Sequence, residues 1–142
     1  MFNNKKYLFL IGVTLIVTLG GFLFGFDMAV ISGAIPLVKD QFNLSAALEG
    51  WFVSSALLGA ILGVAISGEL SDRVGRRKVL IFSGLLFSVS AFGCAIAPSF
   101  DILIIARILG GMGVGIASNV APLYISEIAP SQIRGALVTC YQ

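Results

Sequence analysis

The chain has 142 residues, of which 58% are apolar and 11% are charged, with a net charge of +2 and no histidine. A soluble domain carries roughly a quarter of its residues as charged side chains, so most of this surface is expected to face lipid. The basic residues lie beside apolar segments and do not form the clustered face that nucleic-acid binding requires. Both cysteines lie inside apolar runs and are expected to be small buried hydrophobic residues.

Four apolar stretches are long enough to cross a bilayer as helices, which takes about 20 residues. They cover 7–34, 48–70, 79–97 and 102–125, and a fifth stretch begins at residue 135. Because backbone groups in lipid must be hydrogen bonded internally, the fold is predicted to be an all-α membrane protein. A secretory signal peptide is disfavoured, because the first apolar run is longer than a signal core of about 7–15 residues.

Polar connections are predicted between these spans, at 36–47, 71–78 and 98–101, with a further polar segment at 127–134. Aromatic residues near the span ends are expected at the membrane–water interface. They are Tyr7, Trp51, Phe52 and Tyr124.

Lysine and arginine flank the spans unequally. Lys39 is the basic residue on one side, and the other side carries Lys5, Lys6, Arg73, Arg76, Arg77, Lys78 and Arg134. Because cytoplasmic loops carry an excess of Lys and Arg, the N-terminus is predicted to be cytoplasmic. The chain is therefore expected to be a multi-pass protein of the cell membrane.

Small residues recur at every fourth position on the second and fourth spans. The second span has Gly59, Gly63 and Ser67, and the fourth has Gly111, Gly115 and Asn119. Such stripes allow two helix backbones to approach closely, so the glycines are interpreted as helix-packing residues.

Two ionisable residues lie deep within the spans, Asp27 in the first and Arg107 in the fourth. Both lie roughly 8–11 Å below the outer boundary at a rise of 1.5 Å per residue, which predicts that they pair. The pair could be structural or functional. A carboxylate is favoured beside an arginine and disfavoured when desolvated without it, so such a site can bind a proton in one conformation and release it in another.

The sequence offers little for catalysis. It has no histidine, no cysteine pair at ligand spacing and no carboxylate cluster, which are the usual components of metal or hydrolytic sites. The chain is therefore not expected to be an enzyme or to bind a cofactor or metal.

Four phrases resemble a known family. GELSDRVGRRK at 68–78 resembles the signature between helices two and three of the major facilitator superfamily. Three more resemble its sugar-porter branch: GGFLFGFDMAVISGA at 20–34, RILGGMGVG at 107–115 and PLYISEIAPSQIRGAL at 122–137. The resemblance implies a parent of about twelve helices in two halves, each made of two inverted three-helix repeats. This chain would supply helices one to four and the start of helix five, with the C-terminal half as its missing partner.

The resemblance also implies residue roles. Asp27 and Arg107 match the proton-coupling pair of sugar–proton symporters, in which facilitative relatives carry a neutral residue at the acid position. Phe24 matches an aromatic that lines the sugar cavity. Gln142 matches a glutamine that hydrogen bonds sugar hydroxyls, a role that suits an amide because it both donates and accepts.

A set of charged residues resembles the family's cytoplasmic gate, the network that ties the two halves together when the transporter is open to the outside. Positive-inside topology would account for its basic members but not for the interleaved acids. The set comprises Asp72, Arg73, Arg76, Arg77, Glu127 and Arg134.

The predicted function is therefore secondary active transport of a monosaccharide by alternating access, coupled to protons. The alternatives are a facilitative sugar carrier and a major facilitator transporter of another small solute. The segment Asn43-Leu44-Ser45 matches a glycosylation sequon, and it is interpreted as a polar cap at the start of the second helix.

Overall fold

The computed structural model describes residues 4–131 and 133–141, which form five helices: α1 (Asn4–Phe42), α2 (Ala46–Val74), α3 (Arg76–Ala95), α4 (Phe100–Ile128) and α5 (Arg134–Tyr141). No strand occurs in this part of the chain, and the predicted all-α fold is confirmed. Within the described side chains, α2, α3 and α4 are each long and apolar enough to span a membrane. Gln142 and the side chain of Phe24 lie outside the described residues.

Helix α1 continues to Phe42, through the segment predicted to be a connection. Pro36 lies inside the helix, where it lacks an N–H donor and removes one backbone hydrogen bond. The helix nevertheless continues, because Ile35, Val38 and Phe42 follow the helical period and pack against a buried core cluster. Burial of these side chains outweighs the loss of a single hydrogen bond.

The polar segment 71–78, also predicted to be a connection, is almost entirely helical. Gly75 alone separates α2 from α3, at a φ of 94° that a residue with a side chain rarely adopts. Its N–H donates to the carbonyl of Ser71 and so closes the last turn of α2. The charged side chains here extend from helix ends and do not require a loop.

The turn between α1 and α2 is similarly short. Asn43 adopts a left-handed conformation with a φ of 49°, which asparagine tolerates better than most residues. Ser45 is the N-cap of α2, and its hydroxyl accepts a hydrogen bond from the Leu48 amide at 3.4 Å. The cap interpretation of this tripeptide therefore agrees with the observed geometry.

Helix α4 lies at the centre of the packing, with its most extensive contacts to α2 and α3. The first core cluster contains Ile31, Phe52, Leu103 and Ile104 and joins α1, α2 and α4. A second cluster, of Val79, Ile116 and Val120, joins α3 to α4. We call the end of the bundle with Gly75 and residues 127–134 the basic end, and the end with turns 43–45 and 96–99 the opposite end.

Candidate functional site

The backbones of α2 and α4 are in direct contact along the two glycine stripes. A Cβ atom on Gly59 or Gly63 would collide with the carbonyl of Ile108 or Met112 on α4. In the same way, a Cβ on Gly111 or Gly115 would collide with the carbonyl of Ala56 or Ala60 on α2.

One polar contact continues this interface toward the basic end. The Asn119 amide donates to the Ser67 hydroxyl at 2.7 Å, and Ser67 is fully buried. Helices α2 and α4 therefore form a closely packed pair, which carries two side chains of the site, Phe52 and Arg107.

Asp27 and Arg107 form an ion pair between α1 and α4. One terminal nitrogen of Arg107 (Nη1) lies 3.2 Å from Oδ2 and 3.4 Å from Oδ1 of Asp27. The Arg107 side chain is 7% exposed and that of Asp27 is 26% exposed. The structure thus brings together the two deeply placed charges, and the acid is the more accessible partner.

Phe52 of α2 also contacts Arg107. The guanidinium carbon lies 5.4 Å from the centroid of the Phe52 ring, within the range of a cation–π interaction. Arg107 Nε is buried and has no hydrogen-bond partner among the described residues. Phe52 is only 3% exposed, so the prediction that it lies at the membrane interface is wrong.

The helical register explains this error. Phe52 and the neighbouring Trp51, which is 47% exposed, point in different directions because adjacent helical residues lie about 100° apart. The apolar sequence around them did not indicate which of the two side chains faces the interior of the bundle. The closely packed face of α2, which carries Ser55, Ala56 and Gly59, is the signal that could have identified Phe52, since it lies one turn before Ser55 and Ala56 on that face.

At the basic end, Arg76 joins three helices, its own α3 and the ends of α2 and α4. Its Nε donates to Glu127 Oε1 at 3.1 Å, which links the start of α3 to the end of α4. Its Nη1 donates to the Asp72 carboxylate and to the Ser71 hydroxyl on α2. Asp72, Arg76 and Glu127 therefore form one connected cluster.

The other members of the predicted gate lie apart from this cluster. Arg73 pairs with Glu69 one turn earlier on α2. The guanidinium of Arg134 donates to the carbonyl of Ala129 at 3.2 and 3.4 Å, and so caps the end of α4. Arg77 is exposed. Across 4–131 and 133–141, no group of three or more His, Cys, Asp or Glu residues is positioned to hold a metal ion.

Comparison with known proteins places this arrangement in a family. A family model described as "Sugar (and other) transporter" matches residues 13–142. The chain is 49% identical over 134 residues to the arabinose–proton symporter of Bacillus subtilis, covering 94% of this chain and 29% of that protein. It is 53% identical over 124 residues to a D-xylose transporter of Levilactobacillus brevis, covering 87% of this chain and 27% of the relative.

Solved structures agree with the sequence relatives. The fold matches the inward-open xylose transporter XylE from E. coli with a TM-score of 0.84 and 42% identity, over 94% of this chain and 36% of that structure. It matches the proton:xylose symporter XylE bound to 6-bromo-6-deoxy-D-glucose with a TM-score of 0.87 and 38% identity, over 99% and 34% respectively. The chain spans less than a third of the length of the two relatives from Bacillus subtilis and Levilactobacillus brevis. It belongs to the sugar transporter family of the major facilitator superfamily.

Proposed function

We propose that the full-length protein containing this chain is a secondary active transporter that moves a monosaccharide together with a proton. The observation that carries the proposal is the ion pair between Asp27 and the buried Arg107, among apolar helices. Two similar proteins are named for proton symport of arabinose and galactose, from Bacillus subtilis and Escherichia coli. The C-terminal half of the superfamily fold and the surrounding lipid complete the transporter.

The coupling follows from the electrostatics of the pair. An adjacent arginine favours the ionised form of a carboxylate. A movement of α1 relative to α4 separates the two groups and leaves the acid in an apolar environment, where the neutral form is favoured. Proton binding and release at Asp27 thus follow the change between conformations.

Sugar binding is assigned to the cavity that α1 and α5 border in the full protein. Phe24 supplies an apolar face for the sugar ring, and Gln142 supplies an amide that donates to and accepts from hydroxyl groups.

Uptake by the full-length protein in cells or proteoliposomes tests the function. Labelled xylose, arabinose and galactose should be accumulated above their external concentration, and a protonophore should abolish the accumulation. Equilibration of sugar without accumulation would instead identify a facilitative carrier. A lack of uptake of any pentose or hexose would point to another solute.

We further propose that the basic end is cytoplasmic and that the protein resides in the cell membrane. The charge asymmetry between the two ends of the bundle supports this orientation.

The orientation predicts the accessibility of introduced cysteines in a full-length background from which Cys94 and Cys140 have been removed. An impermeant thiol reagent added outside intact cells should label Lys39→Cys, which is exposed near the opposite end. The same reagent should label Arg77→Cys, exposed at the basic end, only after the membrane is permeabilised. External labelling at position 77 with protection at position 39 would reverse the orientation.

We assign the cluster of Asp72, Arg76 and Glu127 to a cytoplasmic gate that favours the outward-open conformation. Arg76 is held on two sides by acids from α2 and α4, and it is well placed to transmit a contact with the second half to both helices. Arg73, Arg77 and Arg134 belong to the same proposed surface.

Glu127→Gln should shift the full-length transporter toward inward-open states, because the amide keeps the size of the side chain but loses its charge. A partly exposed ion pair contributes little to stability, so the conformational population should shift only modestly, roughly two- to fivefold. Two measurements report this shift: the accessibility to a thiol reagent of a cysteine introduced at the cytoplasmic opening of the transport path, and the rate of sugar uptake.

Glu69→Gln is the matched control for the gate. Glu69 pairs with Arg73 on the same helix, and both side chains are more than two-thirds exposed, so its loss should leave both readouts near wild type. Equal effects of the two substitutions would argue against a special role for Glu127.

A further inference from the structure

Phe52 and Asp27 both contact Arg107, and the two contacts differ in character. The Phe52 ring is fixed in the first core cluster, between α1 and α4, on the helix that packs backbone-to-backbone against α4. Asp27 lies on α1, whose contact with α4 is much less extensive. The aromatic contact is therefore the more rigid of the two.

The ion pair is weaker in geometry than an arginine and a carboxylate can achieve. Such pairs are frequently bidentate, with two donors of the guanidinium at about 2.7–2.9 Å from the two oxygens. Here a single nitrogen approaches both oxygens of Asp27, at 3.2 and 3.4 Å. Arg107 Nε, which a bidentate arrangement could use, is buried without a partner among the described residues.

Other titratable groups around the pair do not account for this geometry. Helix α3 contributes Cys94, which packs against the first core cluster. On α4 the nearest acid is Asp101 in the first turn, which is exposed. The nearest acid on α2 is Glu49, which is bound to Lys39 of α1 at 3.0 Å. Among the described residues, the ring of Phe52 is the other group that contacts the guanidinium, 5.4 Å from its carbon to the ring centroid.

We propose that Phe52 is a positioning residue that holds Arg107 over its ring and thereby limits the contact between the guanidinium and Asp27 to one nitrogen. This inference rests on the proposed proton-coupled transport. A tighter pair would favour the ionised acid more strongly. The ring still attracts the guanidinium when the carboxylate's charge is absent, which offsets part of that loss. Weakening the ring's attraction should therefore allow a closer ion pair, which competes more strongly with a proton for the carboxylate.

The sharpest test changes the charge distribution of the ring while keeping its shape. Phenylalanines with one, two and three ring fluorines are placed at position 52 of the full-length protein, since fluorine withdraws the electron density that attracts the cation. Sugar exchange is measured in proteoliposomes with equal pH on both sides, so that only protonation of the carrier is titrated. The pH at which exchange is half lost on the alkaline side should move stepwise toward acid, by about half to one unit for the trifluorinated ring.

Two further variants separate positioning from packing. Phe52→Leu removes the ring and should show the full acid shift, whereas Ile104→Val loosens the same core cluster and should leave the pH profile unchanged. If the wild type shows protonophore-sensitive accumulation but the fluorinated series shows no graded shift, the role of Phe52 is overturned and symport stands. If the wild type shows no such accumulation, the proposed symport fails and the role of Phe52 fails with it.

Discussion

Asp27→Asn in the full-length protein is expected to abolish accumulation of sugar against a gradient while exchange of sugar across the membrane continues. The amide has the size and hydrogen-bonding capacity of the protonated acid, but it does not titrate near neutral pH. A carrier fixed in this form binds sugar and reorients with it, but it has no proton to exchange. Uphill uptake with and without a protonophore, together with counterflow, measures both properties.

Asp40→Asn provides a matched control on the same helix, because Asp40 is exposed near the turn between α1 and α2. It should leave accumulation near the wild-type level. Arg107→Ala should be more damaging than Asp27→Asn, because it removes the contacts with both Asp27 and the Phe52 ring, whereas the asparagine amide still offers Arg107 a hydrogen-bond acceptor. Protonophore-sensitive accumulation by the Asp27→Asn protein would show that the coupling site lies elsewhere.

Gly111→Ala is expected to cause a large loss of stability, although it adds only one methyl group. The added Cβ would meet the backbone carbonyl of Ala56, which cannot rotate away as a side chain can. The two helices must separate, at a cost of at least about 1–3 kcal/mol for overpacking, and the neighbouring glycine contacts loosen with them. The thermal unfolding temperature and the yield of monodisperse protein in detergent report this loss.

Gly84→Ala is the control, because a Cβ at Gly84 of α3 meets nothing within 4 Å. Alanine also has a higher helix propensity than glycine, so this variant should be as stable as the wild type or slightly more so. If both substitutions had the same effect, the close approach of α2 and α4 would not limit stability.

The number and apolar character of the helices could be predicted from the sequence, but the ends of the helices could not. Residues 36–42 and 71–74 carry proline and charged side chains that usually indicate a connection, yet they continue α1 and α2. At the ends of a bundle, long charged side chains can reach water from a helix. Composition therefore does not separate a helix end from a loop. For α1, the helical spacing of its apolar residues does predict that the helix continues to Phe42; these residues are Ile31, Ile35, Val38 and Phe42.

The ion pair between Asp27 and Arg107 could be predicted from the sequence, because the distance of each residue from the end of its span can be counted from residue numbers. The contact between Phe52 and Arg107 could not, because it depends on the rotation of α2 about its axis, which the glycine contacts with α4 fix. Partner choice among surface charges was also beyond the sequence. Arg73 pairs with Glu69, and Arg76 pairs with Asp72 and Glu127. The sequence spacing could not predict these partners, because alternative ion pairs at a surface differ little in energy.

The position of α4 in the packing also has a consequence for biogenesis. Its partners α1 and α2 precede it in the chain, so during synthesis both helices are made before the surface they pack against. Until α4 is inserted, Asp27 is expected to lack the cation it pairs with, and the glycine stripe of α2 is expected to lack its packing partner. Insertion of α4 should supply both. A nascent chain stalled before Arg107 should therefore be held by the insertion machinery or by a membrane chaperone, and release should begin once α4 has emerged.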